Sequence, residues 1–443
     1  MRKFLRRVDV CPGVLFTLGV AFTAPWADAA NVISVAATGG GTYTIDQGAG
    51  TVTLETPGTF SITANDTNEG ESDYDGYVNA VLLDAEATNG TYNIRIASSA
   101  GGNNWTTGAR NVGYVDVNSG SKRGNLGMVV IDGRWGVKWN GSAFVDVNPS
   151  TEKTRIFQAN SIGSDSMARF VVAQGPDDVD GRVTAGTLIE VDGGSTSLGW
   201  SINTETARDF LGKLHALGST FVQASFTIGG DFASGAEIHS NESITGTFSF
   251  GGDFAGSMIA NLDGNSTSSS SGQFNAHVTV VGGFTGSILA KTRSGAGGEI
   301  RNKIDIRADF SGSIVAESSS ALSSPAWVRI NSDAMLPGTW ESGGVVTVGG
   351  TTYSTPATYN AARVYWVSHL RGEMNGDRFV NNFDIDPFTQ ALADPNDYDA
   401  AYPWLVETRV YHRDTGPLTG GVCTPDGAFN NFDIDCFTAI LAG

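Results

Sequence analysis

A short sequence repeat in the middle of the chain limits the possible folds more than any other feature. Each copy contains a strand of alternating apolar and polar residues, a glycine-rich turn, one phenylalanine and a second short strand. A unit of this size cannot bury its own apolar face, so the copies must stack and share one core. The aligned phenylalanines, spaced by 22, 30 and 26 residues, are Phe232, Phe254, Phe284 and Phe310. We therefore expect their rings to form one inward-facing stack.

Stacked strand–turn–strand units favour a parallel β-solenoid, which we place at residues 201–340. This stretch resembles a right-handed parallel β-helix. A β-sandwich with a repeated hairpin is the alternative, but hairpins favour Asn-Gly turns over the Gly-Gly-Asp-Phe found here. The composition of 58 glycines and 16% charged residues also favours many short strands and turns over helices. The sequence therefore predicts a mainly β protein.

The segment that precedes the repeats, residues 31–200, has strand and turn patterns throughout, and we expect it to be continuous with the solenoid. Between Met128 and Val147, the pairs Asp132-Gly133 and Asn140-Gly141 separate runs of alternating residues. Such pairs favour the turns that connect hairpin strands. The sequence therefore predicts a three-stranded meander there.

Two further elements flank the repeats. Apolar residues at three- and four-residue spacings predict a helix from Thr204 to Leu217, with Asn203 as its N-cap. After the repeats, residues 341–368 contain a predicted strand pair around Val345 to Tyr353 and a short linker.

The N-terminus has the pattern of a secretory signal peptide at residues 1–30. Four basic residues precede an apolar stretch from Val14 to Phe22, and small residues at Ala27 and Ala29 form a cleavage site. The stretch is shorter than the about 20 residues that a membrane-spanning helix needs, and no later segment is apolar enough. We expect a secreted protein, extracellular or at the cell surface, without membrane insertion.

The charge balance narrows the range of partners. The chain has 27 Lys and Arg against 46 Asp and Glu, a formal net charge of −19. Such a surface repels phosphate backbones and anionic lipids, so we expect no nucleic-acid partner. The same acidity suits the binding of divalent cations.

The most specific motif begins near the C-terminus, at Arg371. Oxygen-bearing side chains alternate there as in a twelve-residue calcium loop, and a helix follows with apolar residues on one face. A hard cation takes six to eight oxygen ligands, including one backbone carbonyl at the seventh position. The predicted ligands are Glu373, Asn375, Asp377, Phe379 through its carbonyl, Asn381 and Asp384. The motif therefore predicts a Ca²⁺ site.

A second copy of the motif strengthens this prediction, because the run Asn-Asn-Phe-Asp-Ile-Asp recurs from Asn430. Counted as a contiguous loop, its first and third positions are Val422 and Thr424, which lack carboxylates. We therefore expect weaker binding than in the first loop. The remaining predicted ligands are Asp426, Ala428 through its carbonyl, Asn430 and Asp433.

Paired loop–helix segments of this kind, over residues 369–443, are similar to a type I dockerin. The resemblance implies a small α-helical domain that folds on calcium and binds a cohesin-like partner through its helices. Two departures, Glu373 for the usual Asp and Arg378 for the usual Gly, imply weaker binding in the first loop.

Cys423 and Cys436 lie within the second copy of the motif. An oxidising compartment favours a disulfide between them, and two free thiols are the alternative. A disulfide there is a candidate substitute for missing metal stabilisation.

Catalytic residues are not evident. Asp231, Asp253 and Asp309 share one place in the repeat, where stacking would bring the first two together, but a carboxylate that caps the glycine turn explains their recurrence. The five histidines show no metal-binding spacing, and we expect structural or surface roles for them. Trp135 and Trp139 suit either a core or a sugar platform.

Two functions therefore remain open. The first is a non-catalytic structural, adhesive or polysaccharide-binding role. The second is a polysaccharide lyase or a glycoside hydrolase, because both the dockerin and the β-helix resemblance imply carbohydrate. Neither resemblance supplies a catalytic residue.

Overall fold

The protein is mainly β in the part of the chain that the computed structural model describes. That part begins at Asn31, so the predicted signal peptide lies outside it. The described residues are 31–65, 76–84, 91–96, 111–118, 125–158, 169–173, 183–193, 198–204, 209–217, 222–262, 273–293, 296–318, 322, 326–330, 344–354, 363–366, 371–375, 380–403, 405, 413–419 and 422–442.

Among these residues, the largest sheet has twelve strands. Adjacent strands in this sheet are parallel, except that β1 and β4 at one end are antiparallel. In sheet order its strands are β1 (Val32–Thr38), β4 (Gly58–Asn65), β6 (Thr91–Ile96), β8 (Asn125–Asp132), β13 (Arg169–Ala173), β15 (Leu198–Thr204), β17 (Val222–Ile228), β19 (Ile244–Phe250), β21 (Phe274–Val280), β25 (Lys303–Ile306), β27 (Trp327–Ile330) and β30 (Val364–Trp366).

Two further sheets, of five and nine strands within the described ranges, are parallel except for one antiparallel pair at an end of each, β2 with β3 and β28 with β29. The five-stranded sheet contains β2 (Tyr43–Asp46), β3 (Thr51–Leu54), β5 (Tyr77–Asp84), β7 (Asn111–Asn118) and β9 (Arg134–Trp135). The nine-stranded sheet contains β12 (Thr154–Gln158), β14 (Leu188–Gly193), β16 (Lys213–Leu217), β18 (Glu237–Ser240), β20 (Ser257–Ala260), β22 (Ser287–Ala290), β26 (Ser313–Ala316), β28 (Val345–Val348) and β29 (Thr351–Tyr353).

From β4 onward, main strands in the large sheet alternate along the chain with strands in the other two sheets. Strand β17 is followed by β18, β19 by β20 and β21 by β22, so each of these repeats contributes one strand to the twelve-stranded sheet and one to the nine-stranded sheet. The predicted strand pair is confirmed, since β28 and β29 are antiparallel with Val346 opposite Tyr353. Strand β28 also pairs in parallel with β26 and extends the nine-stranded sheet.

The predicted phenylalanine stack is confirmed. Phe232, Phe254, Phe284 and Phe310 are fully buried and joined by successive parallel backbone bridges. Adjacent ring centroids are 4.9, 4.7 and 5.5 Å apart. The column continues toward the N-terminus through Phe210, Val183 and Trp135.

In three of the four repeats, a glycine two residues after the phenylalanine permits this close stacking. Gly286 follows Phe284 by two residues, and a Cβ atom there would lie 2.2 Å from the carbonyl oxygen of Gly256 and 2.8 Å from the ring of Phe254. Any larger residue at this position would push neighbouring repeats apart. The recurrent Phe-Xaa-Gly pattern therefore has a steric cause.

The predicted helix from Thr204 to Leu217 is wrong. Lys213–Leu217 forms β16, and Phe210 joins the column of buried rings through its bridge to Phe232. In β16, Leu214 and Ala216 alternate with less buried residues. Burial therefore repeats every two residues, as in a strand. Pairing with β14 and β18 on either side outweighs the helical spacing of the leucines.

The predicted meander is also wrong. Strand β8 belongs to the twelve-stranded sheet and β9 to the five-stranded sheet, so the chain turns a corner at Gly133 instead of forming a hairpin. The Asn140-Gly141 turn does connect an antiparallel pair, β10 (Val137–Trp139) and β11 (Phe144–Asp146). A second short pair, β23 (Thr292–Arg293) and β24 (Ala296–Gly297), lies between repeats.

The C-terminal region is helical and contacts the end of the large sheet. Leu405, with Tyr402 beside it, packs against Trp327 of β27 and Tyr365 of β30. No helix within the described residues is long and apolar enough to cross a membrane. The elements of this region are a 3₁₀ turn (Asn382–Asp384), α1 (Ile385–Ala393), α2 (Pro395–Ala401), β31 (Leu418–Thr419), β32 (Val422–Cys423) and α3 (Asp433–Ala442).

Candidate functional site

The first predicted calcium loop is organised around the buried carboxylate of Asp384. Its Oδ1 accepts a hydrogen bond from the backbone N–H of Met374 at 2.6 Å, and its Oδ2 accepts one from Asn381 N–H at 2.8 Å. Asn381 Oδ1 in turn accepts from Phe383 N–H, which completes a capping box ahead of α1. Glu373, the predicted first ligand, is fully buried beside Met374. Asp384 therefore ties the beginning of the loop to its end.

Of the other three predicted ligands of this loop, only Asn375 is among the residues that the structure describes. Asn375 is half-buried and lies two residues after Glu373. Asp377 and Phe379 lie outside the described residues.

The second loop repeats the hydrogen bonds of the first. Asp433 Oδ1 accepts from the backbone N–H of Gly416 at 2.6 Å, and Oδ2 accepts from Asn430 N–H at 2.8 Å. Asn430 Oδ1 accepts from Phe432 N–H, as Asn381 does from Phe383. Asp433 is buried in the same way as Asp384. The two loops therefore have the same pattern of hydrogen bonds.

The contiguous count that put Val422 at the first position of the second loop is wrong. Val422 is 64% exposed and belongs to the β31–β32 hairpin, which interrupts the loop. Asp414 lies ahead of the hairpin and is 3% exposed. It accepts hydrogen bonds from the backbone N–H groups of Asp426 at 3.2 Å and Gly427 at 2.7 Å. A buried carboxylate is therefore present where the sequence count found none.

Of the remaining ligands predicted for this loop, Asp426 is exposed, and its Oδ1 accepts from the backbone N–H of Ala428 at 2.9 Å. The sequence signal that was missed is the glycine-containing insertion between Asp414 and Asp426, whose Gly416 has a positive φ of 73°. If the hairpin residues are left out when the loop positions are counted, Asp414 becomes part of the loop.

The donor set in both loops fits a hard cation. Burying several carboxylates close together is costly unless cations compensate their charge. Carboxylate and amide oxygens are the ligands that Ca²⁺ prefers. The buried carboxylates are Glu373, Asp384, Asp414 and Asp433. The residues present therefore fit a hard cation such as Ca²⁺, which Glu373 and Asp384 would hold in one loop and Asp414 and Asp433 in the other.

The two loop–helix segments pack on each other through equivalent rings. Phe388 of α1 and Phe437 of α3 are stacked at a centroid distance of 3.9 Å and an interplanar angle of 4°. Tyr398 is buried beside them and donates from its hydroxyl to the carbonyl of Met374 at 2.8 Å. Burial raises the pKa of Tyr398 above its usual range, so this hydroxyl remains a donor.

A disulfide joins Cys423 of the hairpin to Cys436 of α3. It is the pairing that an oxidising compartment favours. The covalent link holds the inserted hairpin against the helix that follows the second loop.

Large apolar side chains are exposed at equivalent places in the two segments. Phe383 is 77% exposed and Phe432 is 70% exposed, and each lies two residues after the asparagine that caps its segment, Asn381 or Asn430. Ile385 and Ile434, two residues further on, are also exposed. Neither pair contributes to the core that holds Phe388 and Phe437. Both segments therefore expose apolar side chains at equivalent places.

The aspartates of the repeat connect one repeat to the next. Asp231 Oδ1 accepts from the backbone N–H of Asp253 at 2.7 Å, and Asp253 Oδ1 accepts from Gly283 N–H at 2.7 Å. Asp209 holds Asp231 in the same way at 2.9 Å. Their recurrence therefore has a structural explanation, related to the turn capping expected from the sequence, and requires no catalytic pair.

The two tryptophans singled out in the sequence differ in their environments. Trp135 is fully buried in the column of rings. Trp139 is partly exposed and contacts Tyr77 and Phe144, with ring centroids 6.1 and 5.1 Å away. Asn79 fixes the backbone of Trp139 through hydrogen bonds to its N–H and its carbonyl. Trp139, Tyr77 and Phe144 therefore form a partly exposed aromatic cluster.

Two histidines that lacked a recognisable spacing lie side by side on the nine-stranded sheet. The rings of His215 and His239 are stacked with centroids 5.1 Å apart, and Glu237 contacts both. The spacing of these two histidines along the sequence does not indicate this grouping. Strand register supplies the signal, since β16 and β18 place His215 directly opposite His239.

The chain matches no protein-family model, no curated protein and no solved structure.

Proposed function

We propose that the chain is an exported, mainly β protein that is held in an extracellular or cell-surface assembly by a calcium-dependent C-terminal module. The module, similar to a dockerin, folds around one Ca²⁺ in each loop and docks on a cohesin-like protein. The β portion is a non-catalytic, elongated parallel β-solenoid. Its role is structural, adhesive or polysaccharide-binding.

The observation that carries the proposal is the internal duplication of the loops. Asp384 and Asp433 accept equivalent pairs of backbone hydrogen bonds, and Phe388 packs on its counterpart Phe437. A ligand set that recurs with its capping contacts and its helix is more specific than a polar turn. Calcium is the cation that best suits the oxygen donors.

The exposed apolar residues support a protein partner. A module that only bound calcium would gain nothing from exposing Phe383 and Phe432 at equivalent places. Burying two such rings in an interface contributes about 2 kcal/mol each in apolar transfer. The partner we propose therefore contacts the 3₁₀ turn and the beginning of each helix.

Three features support the solenoid. The chain alternates between parallel sheets, the phenylalanine column runs through successive repeats, and aspartate carboxylates join neighbouring repeats. Such a stack buries one continuous core and grows by the addition of repeats. The aromatic cluster of Trp139, Tyr77 and Phe144 favours contact with polysaccharide, because flat sugar faces stack on aromatic rings.

Binding to a set of immobilised cohesin-like domains tests the docking proposal. We expect the full chain to bind at least one of them with calcium and to be released by a chelator. The double variant Phe383→Ala/Phe432→Ala should bind more weakly while retaining its calcium affinity. Leu418→Ala, at an exposed apolar residue of the hairpin, is the matched control and should bind normally. Chelator-resistant binding, or no binding to any domain, would contradict the proposal.

A polysaccharide lyase or glycoside hydrolase is the alternative. Incubating the full chain with neutral and acidic polysaccharides, while measuring retention and the appearance of reducing or unsaturated ends, separates the two functions. We expect retention without new chain ends. Turnover of any glycan would establish the enzyme instead.

A further inference from the structure

We propose that His215, Glu237 and His239 form a binding site for a divalent transition-metal ion of the zinc type, on the outer face of the nine-stranded sheet. The site is separate in sequence from the calcium loops and uses nitrogen ligands, which calcium disfavours. Neither its ligands nor its metal class is required by the proposed docking function.

Strand geometry brings the three side chains together. Lys213 lies opposite Glu237, and His215 lies opposite His239, in the parallel pair β16 and β18. Neighbouring strands are about 4.8 Å apart, and residues two apart on one strand face the same side. Leu214 of β16 is buried in the core between Lys213 and His215. The charged residues therefore form one compact group on the opposite face.

The distances suit one small cation. His215 Nε2 lies 2.7 Å from Glu237 Oε2, and His239 Nδ1 lies 3.5 Å from the same oxygen. All three ligand atoms lie within 4.8 Å of one another. Zinc–nitrogen and zinc–oxygen bonds of about 2.0 to 2.2 Å place tetrahedral ligands about 3.4 Å apart. A zinc ion therefore requires His215 and Glu237 to separate by less than about 1 Å, with the metal replacing the proton between them.

Hydrogen bonds with neighbouring groups fix the orientation of the ligand side chains, as they do in known metal sites. His239 Nε2 lies 2.9 Å from Ser257 Oγ, so donation from Nε2–H leaves the Nδ1 lone pair directed at the metal. Glu237 Oε1 accepts from Lys213 Nζ at 2.6 Å, which leaves Oε2 as the ligand. His239 and Glu237 thus each keep one hydrogen-bonded partner while they bind.

The exposure of the group leaves room for a further ligand. His239 is mostly buried, whereas the side chains of His215 and Glu237 are 23% and 22% exposed. Three protein ligands with an open fourth position characterise zinc sites that bind water or an external group. The site therefore has the composition to bind a fourth ligand from solution.

Zinc titration of the untagged full chain, with excess calcium to occupy the carboxylate loops, tests the proposal. We expect one Zn²⁺ to bind per chain and to raise the melting temperature. His215→Ala and Glu237→Gln should each lose this binding, and Ser257→Ala should weaken it about tenfold or more. His277→Ala, which removes a histidine of β21 in the other sheet, is the matched control and should bind normally.

Circular dichroism of each variant without zinc establishes that it is folded, and Glu237→Gln keeps the size of the side chain should an alanine variant fail to fold. Zinc binding that is equal in wild type, His215→Ala and Glu237→Gln would overturn the proposal. Absence of any calorimetric or thermal response of the wild type to Zn²⁺ would overturn it as well.

Discussion

Phe388 of α1 and Phe437 of α3 stack at 3.9 Å between the two duplicated loop–helix segments, so each segment completes the core of the other. Neither helix buries enough apolar surface by itself to be stable in water. The stack therefore couples the folding of one loop to that of the other.

Removing this stack should loosen both helices. Phe388→Ala leaves a cavity, which costs about 3 to 5 kcal/mol. At 1.4 kcal/mol per tenfold change, hydrogen exchange in α1 and α3 should accelerate at least about 100-fold in the full chain with calcium. The matched control Phe383→Ala, at an exposed ring, should change exchange by less than about 0.5 kcal/mol. Faster exchange confined to α1 would show that the two segments fold independently.

Asp414 supplies the second loop with the carboxylate that a contiguous count misses. Asp414→Asn keeps the side-chain size but removes a negative charge from the buried ligand group, so calcium affinity of this loop should fall about tenfold or more, a loss of about 1.4 kcal/mol. Calorimetry with calcium measures the change. The control Asp435→Asn removes the same charge from an exposed position in α3 and should have little effect. Equal affinities in the two variants would show that Asp414 is not a ligand.

The stacked repeats depend on the small size of Gly286. Gly286→Ala would place a methyl group 2.2 Å from the carbonyl oxygen of Gly256, and Phe284→Ala would open a cavity in the ring column. We expect Phe284→Ala to lower the free energy of unfolding by about 3 to 5 kcal/mol, and Gly286→Ala to lower it by more than about 1 kcal/mol. Urea denaturation measures both. The exposed neighbour Thr285→Ala should change stability by less than about 0.5 kcal/mol, and a similar loss there would contradict this account.

Acid should destabilise the histidine group. Burial lowers the pKa of His239 to about 4 from its ordinary 6.5, against the attraction of Glu237 and with repulsion from His215, Lys213 and Lys291. Between these two values the unfolded chain binds more protons than the folded chain, so stability falls as the pH drops from 6.5 toward 4.

The lowered pKa of Glu237 also makes the folded protein less stable as the pH falls. Burial raises this pKa, but hydrogen bonds from Lys213 and His215 outweigh burial and lower it overall. In His239→Gln the loss of stability on acidification should be smaller than in wild type. Urea midpoints at several pH values, with calcium and without transition metals, provide the comparison. Identical pH dependence in the two proteins would contradict the shift in His239.

The sequence predicts the parts of this protein that local repetition encodes. Phe232 and Phe254 occupy identical places in the repeat, so their stacking requires no knowledge of turn geometry. The same holds for the duplicated loop–helix pattern, in which Asp384 and Asp433 accept equivalent backbone hydrogen bonds.

Features that depend on inserted residues or on strand register were not predicted. Asp414 is separated from Asp426 by a hairpin, and His215 pairs with His239 across 24 residues although Phe210 pairs with Phe232 across 22. The longer spacing comes from two additional residues in the turn after Phe232. A single repeat length therefore cannot align the histidine pair and the phenylalanine pair at the same time.

The predicted helix failed for a related reason. The spacing of Leu211, Leu214 and Leu217 suits a helix, but strand pairing on both sides of β16 places Leu214 and Ala216 in the core. Tertiary pairing thus outweighs local periodicity in a short segment.

Calorimetric titration of the calcium-stripped full chain with Ca²⁺ tests the central claim, that the duplicated C-terminal loops are calcium sites, most directly. The account predicts one bound ion for each loop, with one binding event lost in Asp384→Ala, the other lost in Asp433→Ala and neither lost in Asp435→Asn. Undiminished calcium binding by the double variant Asp384→Ala/Asp433→Ala, or no binding by the wild type, would contradict it.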